Sequence, residues 1–454
     1  MNTLLSKQPQ TIIITLMLIW LSGCSSSTII DNQSVVSQTS AVRYGLGGVH
    51  QDHLRNDEVT IVLAFSGGGA RAAALAYGVM QGLRDTTFFS NGEQRRLLDE
   101  VDMISSVSGG SFTAAYYGLY GNRLFDDFEN DFIRRNYQSE WLGGLLNPLQ
   151  WFSRRDRTDV ATQLFEERLF RGATFADLHA ANGPLVVINA TDLGGGTRFS
   201  FLQGYFDLLC SDLASYPIAR AVMASSAVPI MLNPVVLKNH RGCLNPTQAY
   251  LEQIEQNDLK EFQAAPGLLA TINTLNQYQD KQQRPYIHLV DGGITDNLGL
   301  MALYEMVEIG GGIAPFIQRL GGQPNSKLVV ISVNAAVKPA STIEASKEVP
   351  SIDNTVSAVT DIQLHRYNAA TIAVMNQAVT RWSNELTSFW QPVEPYFIDL
   401  SFAGVQQQQQ RLLLNQIPTG LALTTEQADA LITAGRELLQ THPEFQRLLQ
   451  QLSQ

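Results

Sequence analysis

The chain has 454 residues, 16% of them charged and 44% hydrophobic, a globular rather than a disordered composition. Its net charge of −11 excludes a surface built to neutralise nucleic acid, which needs clustered Lys and Arg. The same charge excludes bulk attraction to anionic lipid, so any membrane contact must come from apolar surface or a covalent anchor.

Lys7 is the only charge before an apolar run at 12–21, which is short for a transmembrane span and fits a signal-peptide core. The run ends in Leu21-Ser22-Gly23-Cys24, which resembles a bacterial lipobox. Residues 1–23 then read as a signal peptide and Cys24 as the acylated new N-terminus. A plain secretory signal with an incidental cysteine is the other reading. Ser25, not Asp, follows the cysteine. By resemblance to lipoprotein sorting this implies the outer membrane, with the body facing the periplasm. Residues 24–58, rich in Ser, Thr, Gln and Asn, read as a flexible tether.

The run 59–65 is apolar and β-branched, a buried strand. Ser66-Gly67-Gly68-Gly69-Ala70-Arg71 follows, then a helix over 72–83. Glycines at a strand-to-helix turn let backbone N–H groups approach an anion. Gly67, Gly69 and Ala72 also fit the dinucleotide fingerprint, but the next strand ends in Ser106-Val107-Ser108-Gly109, with no acid to hold a ribose. Asp102 stands at the wrong end of it. An oxyanion hole beside a nucleophile is the better reading, because the nucleophile it needs is present. The run 101–107 is a second strand, and Ser108-Gly109-Gly110 leads from it into a helix, the grammar of a nucleophile elbow. Gly110 fits G-x-S-x-G. Ser106 departs from it and puts the elbow geometry in question.

Residues 124–136 and 159–170 carry helical spacing. Between them, 141–152 is broken by Gly and Pro and holds Trp141 and Trp151, which suits a core-packing loop better than an interfacial lid. Residues 184–192 form a third strand; Gly194-Gly195-Gly196 turns it into 197–201. A small-residue helix over 218–226 precedes an extended stretch at 231–237. Polar, Gln-rich 239–284 reads as an insertion with helical pieces at 249–262 and 268–278. Cys210 and Cys243 remain as a possible disulfide in an oxidising compartment, worth about 3–4 kcal/mol; two buried thiols are the other reading. A strand over 285–291 ends in Asp291-Gly292-Gly293, with a helix to about 308. Strands at 327–333 and 395–400 alternate with helices at 351–386 and 424–440, the last opened by a capping-type Thr424-x-x-Gln427. This order predicts a layered α/β fold with a mainly parallel sheet and helices on both faces. No His or Cys spacing suggests a metal site.

Four ordered motifs make the chain resemble bacterial patatin-like phospholipases: Gly67-Gly68-Gly69-Ala70-Arg71, Ser108 at the elbow, Ala224-Ser225-Ser226-Ala227-Val228-Pro229, and Asp291-Gly292-Gly293. The match runs from about 59 to 334, and Asn415-Gln416-Ile417-Pro418-Thr419 is similar to C-terminal regions of bacterial members. The resemblance implies a catalytic domain over 59–400, followed by a C-terminal helical extension over 401–454. It implies a Ser108–Asp291 dyad acting on lipid esters, without metal or other cofactor. It also implies an oxyanion hole at Gly67, Gly68 and Gly69, with Gly110, Gly292 and Gly293 in support. Arg71 would fix the glycine loop rather than touch substrate. Phospholipid or another lipid ester is the implied partner, reached from a membrane through acylated Cys24. Two rivals remain: a non-catalytic binding module, and a Ser-Asp-His esterase using His365 or His442. Alternation along the strand puts His288 and Asp291 on opposite faces, so His288 reads as a core histidine.

Overall fold

The computed structural model describes residues 29–35, 43–47, 58–90, 92–145, 155–243, 246–257, 266–320, 325–338, 347, 349–389 and 391–453. Cys24, the run 12–21, Trp151 and Phe152 lie outside them.

In chain order the elements that matter are β1 (Val59–Phe65), α1 (Gly69–Asp85), β2 (Val101–Val107), α2 (Gly109–Tyr120), α3 (Tyr137–Leu145) and α4 (Arg157–Phe165). Then come β3 (Leu185–Asp192), β4 (Thr197–Ser200), α5 (Ile218–Ser225), β5 (Val235–Lys238), α6 (Pro246–Asn257) and α7 (Pro266–Asn276). The chain closes with β6 (Tyr286–Val290), α8 (Leu300–Ile309), β7 (Lys327–Asn334), α9 (Ile352–Phe389), β8 (Glu394–Ser401) and α10 (Thr425–Thr441). The strands form one sheet in the order β8-β7-β1-β2-β3-β6-β5, with β4 also paired to β3. The five strands from β8 to β3 are parallel. All seven residues of β1 are buried, as a central parallel strand covered on both faces requires. The one irregularity between β1 and β2 falls at Ile61/Val62, and there Asp102 Oδ2 accepts the Ile61 N–H at 2.8 Å. Asp102 therefore repairs the ladder.

β6 departs from the parallel pattern. It runs antiparallel to β3, pairing only Leu289 with Asp192 and Val290 with Thr191. It thus enters from the carboxyl end of the parallel strands. Asp291, one residue further, arrives level with the end of β2.

Several expected boundaries change. The stretch 24–58 is not tether throughout. Asn32 acts as an added edge residue on β5: its Oδ1 accepts the Lys238 N–H and its Nδ2 donates to the Lys238 carbonyl, each at 2.8 Å. Gln33–Ser34 then pairs with Ser211–Asp212. Further on, Tyr44 is buried, its hydroxyl bridging the Val186 N–H and carbonyl at 2.9 Å. The C-terminal helices are likewise no appendage. Gly78 of α1 and Gly435 of α10 allow backbone-to-backbone contact: a Cβ on Gly78 would strike the Ile432 carbonyl, and one on Gly435 the Leu75 carbonyl. Leu431 and Leu439 complete that contact inside the main core, each worth about 1.5–3 kcal/mol of burial. Residues 141–145 finish helix α3 rather than a loop, and residues 124–133 are wound as a π-helix. The extended stretch shrinks to β5, because the Leu232 N–H closes a turn on the Val228 carbonyl at 3.0 Å. Cys210 and Cys243 stand as a disulfide with Cα atoms 5.4 Å apart, at the start of the 239–284 insertion.

Candidate active site

The end of β2 delivers Ser108 into a backbone conformation that L-residues seldom adopt, φ 48° and ψ −121°. The turn needs two glycines next to it. A Cβ on Gly109 would run into the Gly69 carbonyl, and one on Gly110 would lie 2.7 Å from Phe65 Cβ and the Ser66 carbonyl. Ser106, the departure from the elbow pattern, meets no such crowding. It is fully buried, with its hydroxyl donating to the Val187 carbonyl of β3 at 3.2 Å. The tightness falls after the serine, so the position two before it tolerates a side chain.

Ser225 holds the elbow from below. Its Oγ accepts the Ser108 N–H at 2.7 Å and donates to the Asn189 carbonyl at 2.5 Å. The small-residue block noted in the sequence thereby gains a physical role, as the peg under Ser108. Asn189 ties the peg to the sheet, its Nδ2 donating to Ser105 Oγ at 3.0 Å and the Ser106 carbonyl at 3.1 Å. Nothing in the sequence marked Asn189; a buried Asn within an apolar strand was the available signal.

Asp291 comes from the antiparallel side. Its N–H donates to the Ala227 carbonyl at 3.0 Å, and the Gly292 N–H to the Ser225 carbonyl at 3.1 Å, locking the acid to the α5 turn. The Ser108 hydroxyl donates to Asp291 Oδ2 at 2.8 Å, and the Gly293 N–H to Oδ1 at 2.7 Å. Gly292 is required because a Cβ there would strike the Asn189 carbonyl; a Cβ on Gly293 would crowd Asp291 Oδ1 at 2.9 Å. Asp291 keeps partial surface exposure, yet protein rings it densely. Burial pushes its carboxyl up to about 6, against the lowering effect of the Gly293 and Ser108 hydrogen bonds.

The glycine loop divides its N–H groups. Those of Ser66, Gly67 and Ala70 are committed to the carbonyls of Val333, Asn297 and Gly420 at 3.1, 3.0 and 2.8 Å. Gly67 is thus removed from the expected oxyanion set; it anchors the loop to the segment after Asp291. Gly68 and Gly69, at the N-terminus of α1, have φ values of +137° and +60° and no hydrogen-bond acceptor for their N–H groups among the described residues. A helix N-terminus with free amides favours developing negative charge.

Arg71 is buried and holds this loop from behind. It donates to the carbonyls of Ala335 at 2.9 Å and Ile417 at 2.6 Å, and to Thr419 Oγ1 at 3.1 Å. Burial pulls its pKa down to about 10. Asn415 to Thr419 thereby acquires its purpose: it receives Arg71 and presents Gly420 against Gly69. An apolar cleft opens over Ser108. Its walls include Phe112, Trp141, Ala161, Met223, Val228, Met231, Leu232 and Leu421, with Gly69, Thr419 and Gly420 also lining it. Trp141 is therefore both packed and a cleft wall, its Nε1 donating to the Arg157 carbonyl at 3.1 Å.

The histidines lie elsewhere. His288 is exposed on β6, not a core residue, because the alternation that separates it from Asp291 turns it to solvent. His365 lines a different cavity, with Lys338, Asn368 and Arg411. His442 caps the last helix, Nδ1 accepting the Glu444 N–H at 3.2 Å. Among the described residues, no group of three or more His, Cys, Asp or Glu side chains is arranged to hold a metal.

A serine aimed from a strained strand-to-helix turn into an apolar cleft, on a layered α/β sheet, defines the hydrolase class. A family model of patatin-like phospholipases matches residues 63–304, slightly more than half of the chain, and the chain belongs to that family of lipid-ester hydrolases. Among solved structures it is similar to human GIVD cytosolic phospholipase A2, at 12% identity, TM-score 0.38, covering 90% of this chain and 65% of that one. It is also similar to VipD from Legionella pneumophila, at 12% identity, TM-score 0.30, covering 94% of this chain and 72% of that one. The chain thus spans less than two thirds of the human protein's length. No curated protein sequence gives a match.

Proposed function

We propose that this protein is a serine lipid acyl hydrolase of phospholipase A or lysophospholipase type, with Ser108 and Asp291 as its dyad. The observation that carries this reading is the 2.8 Å hydrogen bond from the Ser108 hydroxyl to Asp291 at the floor of an apolar cleft. Ser108 Oγ attacks the acyl carbonyl while Asp291 takes its proton. The raised carboxyl, near 6, is a better base at neutral pH than an ordinary aspartate. The carbonyl oxygen gains negative charge beside the Gly68 and Gly69 N–H groups, where one donor is typically worth about 3–4 kcal/mol. Asp291 returns the proton to the leaving alcohol; it then draws one from the water that attacks the acyl-serine and passes it to Ser108 Oγ as the acyl–oxygen bond breaks and the fatty acid leaves. The apolar walls take the acyl chain, at about 0.8 kcal/mol per buried CH₂.

The same proposal puts the protein in a bacterial envelope, acylated on Cys24 and facing the periplasm from the outer membrane. The apolar run 12–21 and the sequence Leu21-Ser22-Gly23-Cys24 support this. Cys24→Ala should leave the chain unprocessed; normal mass and membrane retention in that variant would remove the anchor.

The test of the enzyme is fatty-acid release from phosphatidylcholine and lysophosphatidylcholine. We expect release by the unmodified chain and at least a thousandfold loss in Ser108→Ala. No release by either protein, with p-nitrophenyl esters also untouched, would instead favour a binding module.

A further inference from the structure

We propose that the turn at residues 228–233 is a wedge that seats the cleft mouth on a lipid surface, and that the N-terminal segment docks so as to hold the same face against it. The proposal rests on the lipid-ester reading above.

The turn carries the first observation. Ile230 has φ +76° and its side chain is 87% exposed. A β-branched residue with positive φ is a backbone outlier, and a strained position persists only where its surroundings over-determine it. Those surroundings are polar and specific. Arg157 donates to the Ile230 carbonyl at 2.8 Å and to Asn233 Oδ1 at 3.3 Å, and Thr158 Oγ1 donates to the Asn233 carbonyl at 2.7 Å. The first turn of α4 thus holds a large apolar side chain out in water. Val228 and Met231, on either side of it, line the cleft above Ser108. The wedge is the rim of the cleft.

The second observation is convergence. Leu142, 46% exposed, follows Trp141, which is bonded to the Arg157 carbonyl. Ile29 and Ile30, 39% and 40% exposed, precede Asp31 in the N-terminal segment. Arg220 joins that segment to α4, meeting Asp159 at 2.5 Å, Asp31 at 2.9 Å and the Ile29 carbonyl at 3.2 Å. Exposed apolar residues scattered singly need no explanation. Here two segments bring theirs to Arg157 and Thr158, and the N-terminal segment is tied to the adjoining Asp159 through Arg220.

The length of chain before the dock selects the occupant. Four residues separate Cys24 from Ile29, five Cα steps or about 17 Å at full extension. An acyl anchor at Cys24 therefore holds Ile29, and through Arg220 the start of α4, close to the bilayer. A tether running to residue 58 would let the domain roam. With a net charge of −11, apolar insertion is also the contact open to this protein.

The test places a fluorophore at the wedge. In the full acylated chain, Cys24 is blocked and Cys210 and Cys243 are joined, so Ile230→Cys supplies the single thiol for an environment-sensitive NBD label. On phosphatidylcholine vesicles, the label should shift to the blue and be quenched by tail-brominated lipid. The same label in Val349→Cys, a 92% exposed position, should do neither. An Ile230 label as wet on vesicles as in buffer overturns the proposal. A blue shift that instead grows with protein concentration, without vesicles, also overturns it and assigns the face to a second copy of the chain. Ile230→Asn adds a kinetic arm, since Asn tolerates positive φ and the turn keeps its shape. Hydrolysis of vesicle phosphatidylcholine should fall about tenfold and that of a soluble p-nitrophenyl ester should stay within twofold. Equal losses on both substrates would reject docking. If the unmodified chain cleaves neither substrate, the enzyme reading fails, and the label still decides the docking.

Discussion

The glycine loop at 66–71 and the segment at 417–421 meet at the cleft, and they are built in opposite ways. The loop is local in sequence: strand, three glycines and helix follow one another, although the room at Gly67 and Gly69 is set by Asn297 and Gly420 across the fold. The segment lies some 350 positions later, belongs to no strand or helix, and reaches the loop through Arg71 and the Gly420 carbonyl. On the proposed reading, the loop supplies the oxyanion amides beside the Ser108–Asp291 pair. The wall that turns it into a site comes from far along the chain.

The largest effects should fall on the Ser108–Asp291 pair that the loop faces. Ser108→Ala and Asp291→Asn should each lower p-nitrophenyl ester hydrolysis at least a thousandfold, and the double variant should fall no further, because groups that act as one unit lose activity non-additively. A double variant far below either single would separate the two residues.

Next comes the seam between the parts. Gly69→Ala would drive a Cβ into the Gly420 carbonyl at a residue with φ +60°. We expect a loss of about a hundredfold in kcat with a smaller change in KM, since an oxyanion donor acts mainly in the transition state. Arg71→Met strips hydrogen bonds from two buried carbonyls and a hydroxyl. It should cost about 2–4 kcal/mol by urea denaturation. An unchanged midpoint would mean that the distant wall holds without Arg71.

A third effect has the opposite sign. Asp291 is raised to about 6 in the folded protein, above an unfolded value near 4. The folded state therefore holds this proton more tightly, and stability falls as pH rises from about 4 through 6. Discounted for the cleft water it faces, the ionised group costs about 1–2 kcal/mol at pH 7. Asp291→Asn should thus melt higher than the unmodified chain at pH 7, by an amount that vanishes near pH 4. Activity should move the other way, since the base works only when deprotonated: kcat/KM should drop as pH falls through about 6.

The smallest effect is expected at the histidines. His288→Ala, His365→Ala and His442→Ala should each keep hydrolysis within about threefold, as none shares a hydrogen bond with Ser108 or Asp291.

The same division explains what was legible in the sequence. Ser108, Gly68, Gly69 and Asp291 announced themselves because a strand, a tight turn and a helix must use small residues at fixed offsets. The parallel core was legible for the same reason, from continuous apolar runs. The direction of β6 was not, since an apolar strand reads alike in either sense. Gly67 was assigned to the oxyanion because three successive glycines look equivalent; the Asn297 carbonyl that distinguishes it is set by tertiary approach. The docks at Asn32 and Tyr44 hid in polar sequence, because each is one side chain bonded to backbone and leaves no period. The C-terminal helices looked like an extension because helical spacing does not reveal which helix they pack against.

The most direct measurement is the rate of fluorophosphonate labelling, with the adduct located by mass spectrometry, in three proteins: the unmodified chain, Asp291→Asn, and the triple variant His288→Ala, His365→Ala, His442→Ala. The account predicts an adduct on Ser108 that forms at nearly the same rate in the triple variant and at least a hundredfold more slowly in Asp291→Asn. A triple variant that resists the probe while Asp291→Asn still reacts would contradict the dyad.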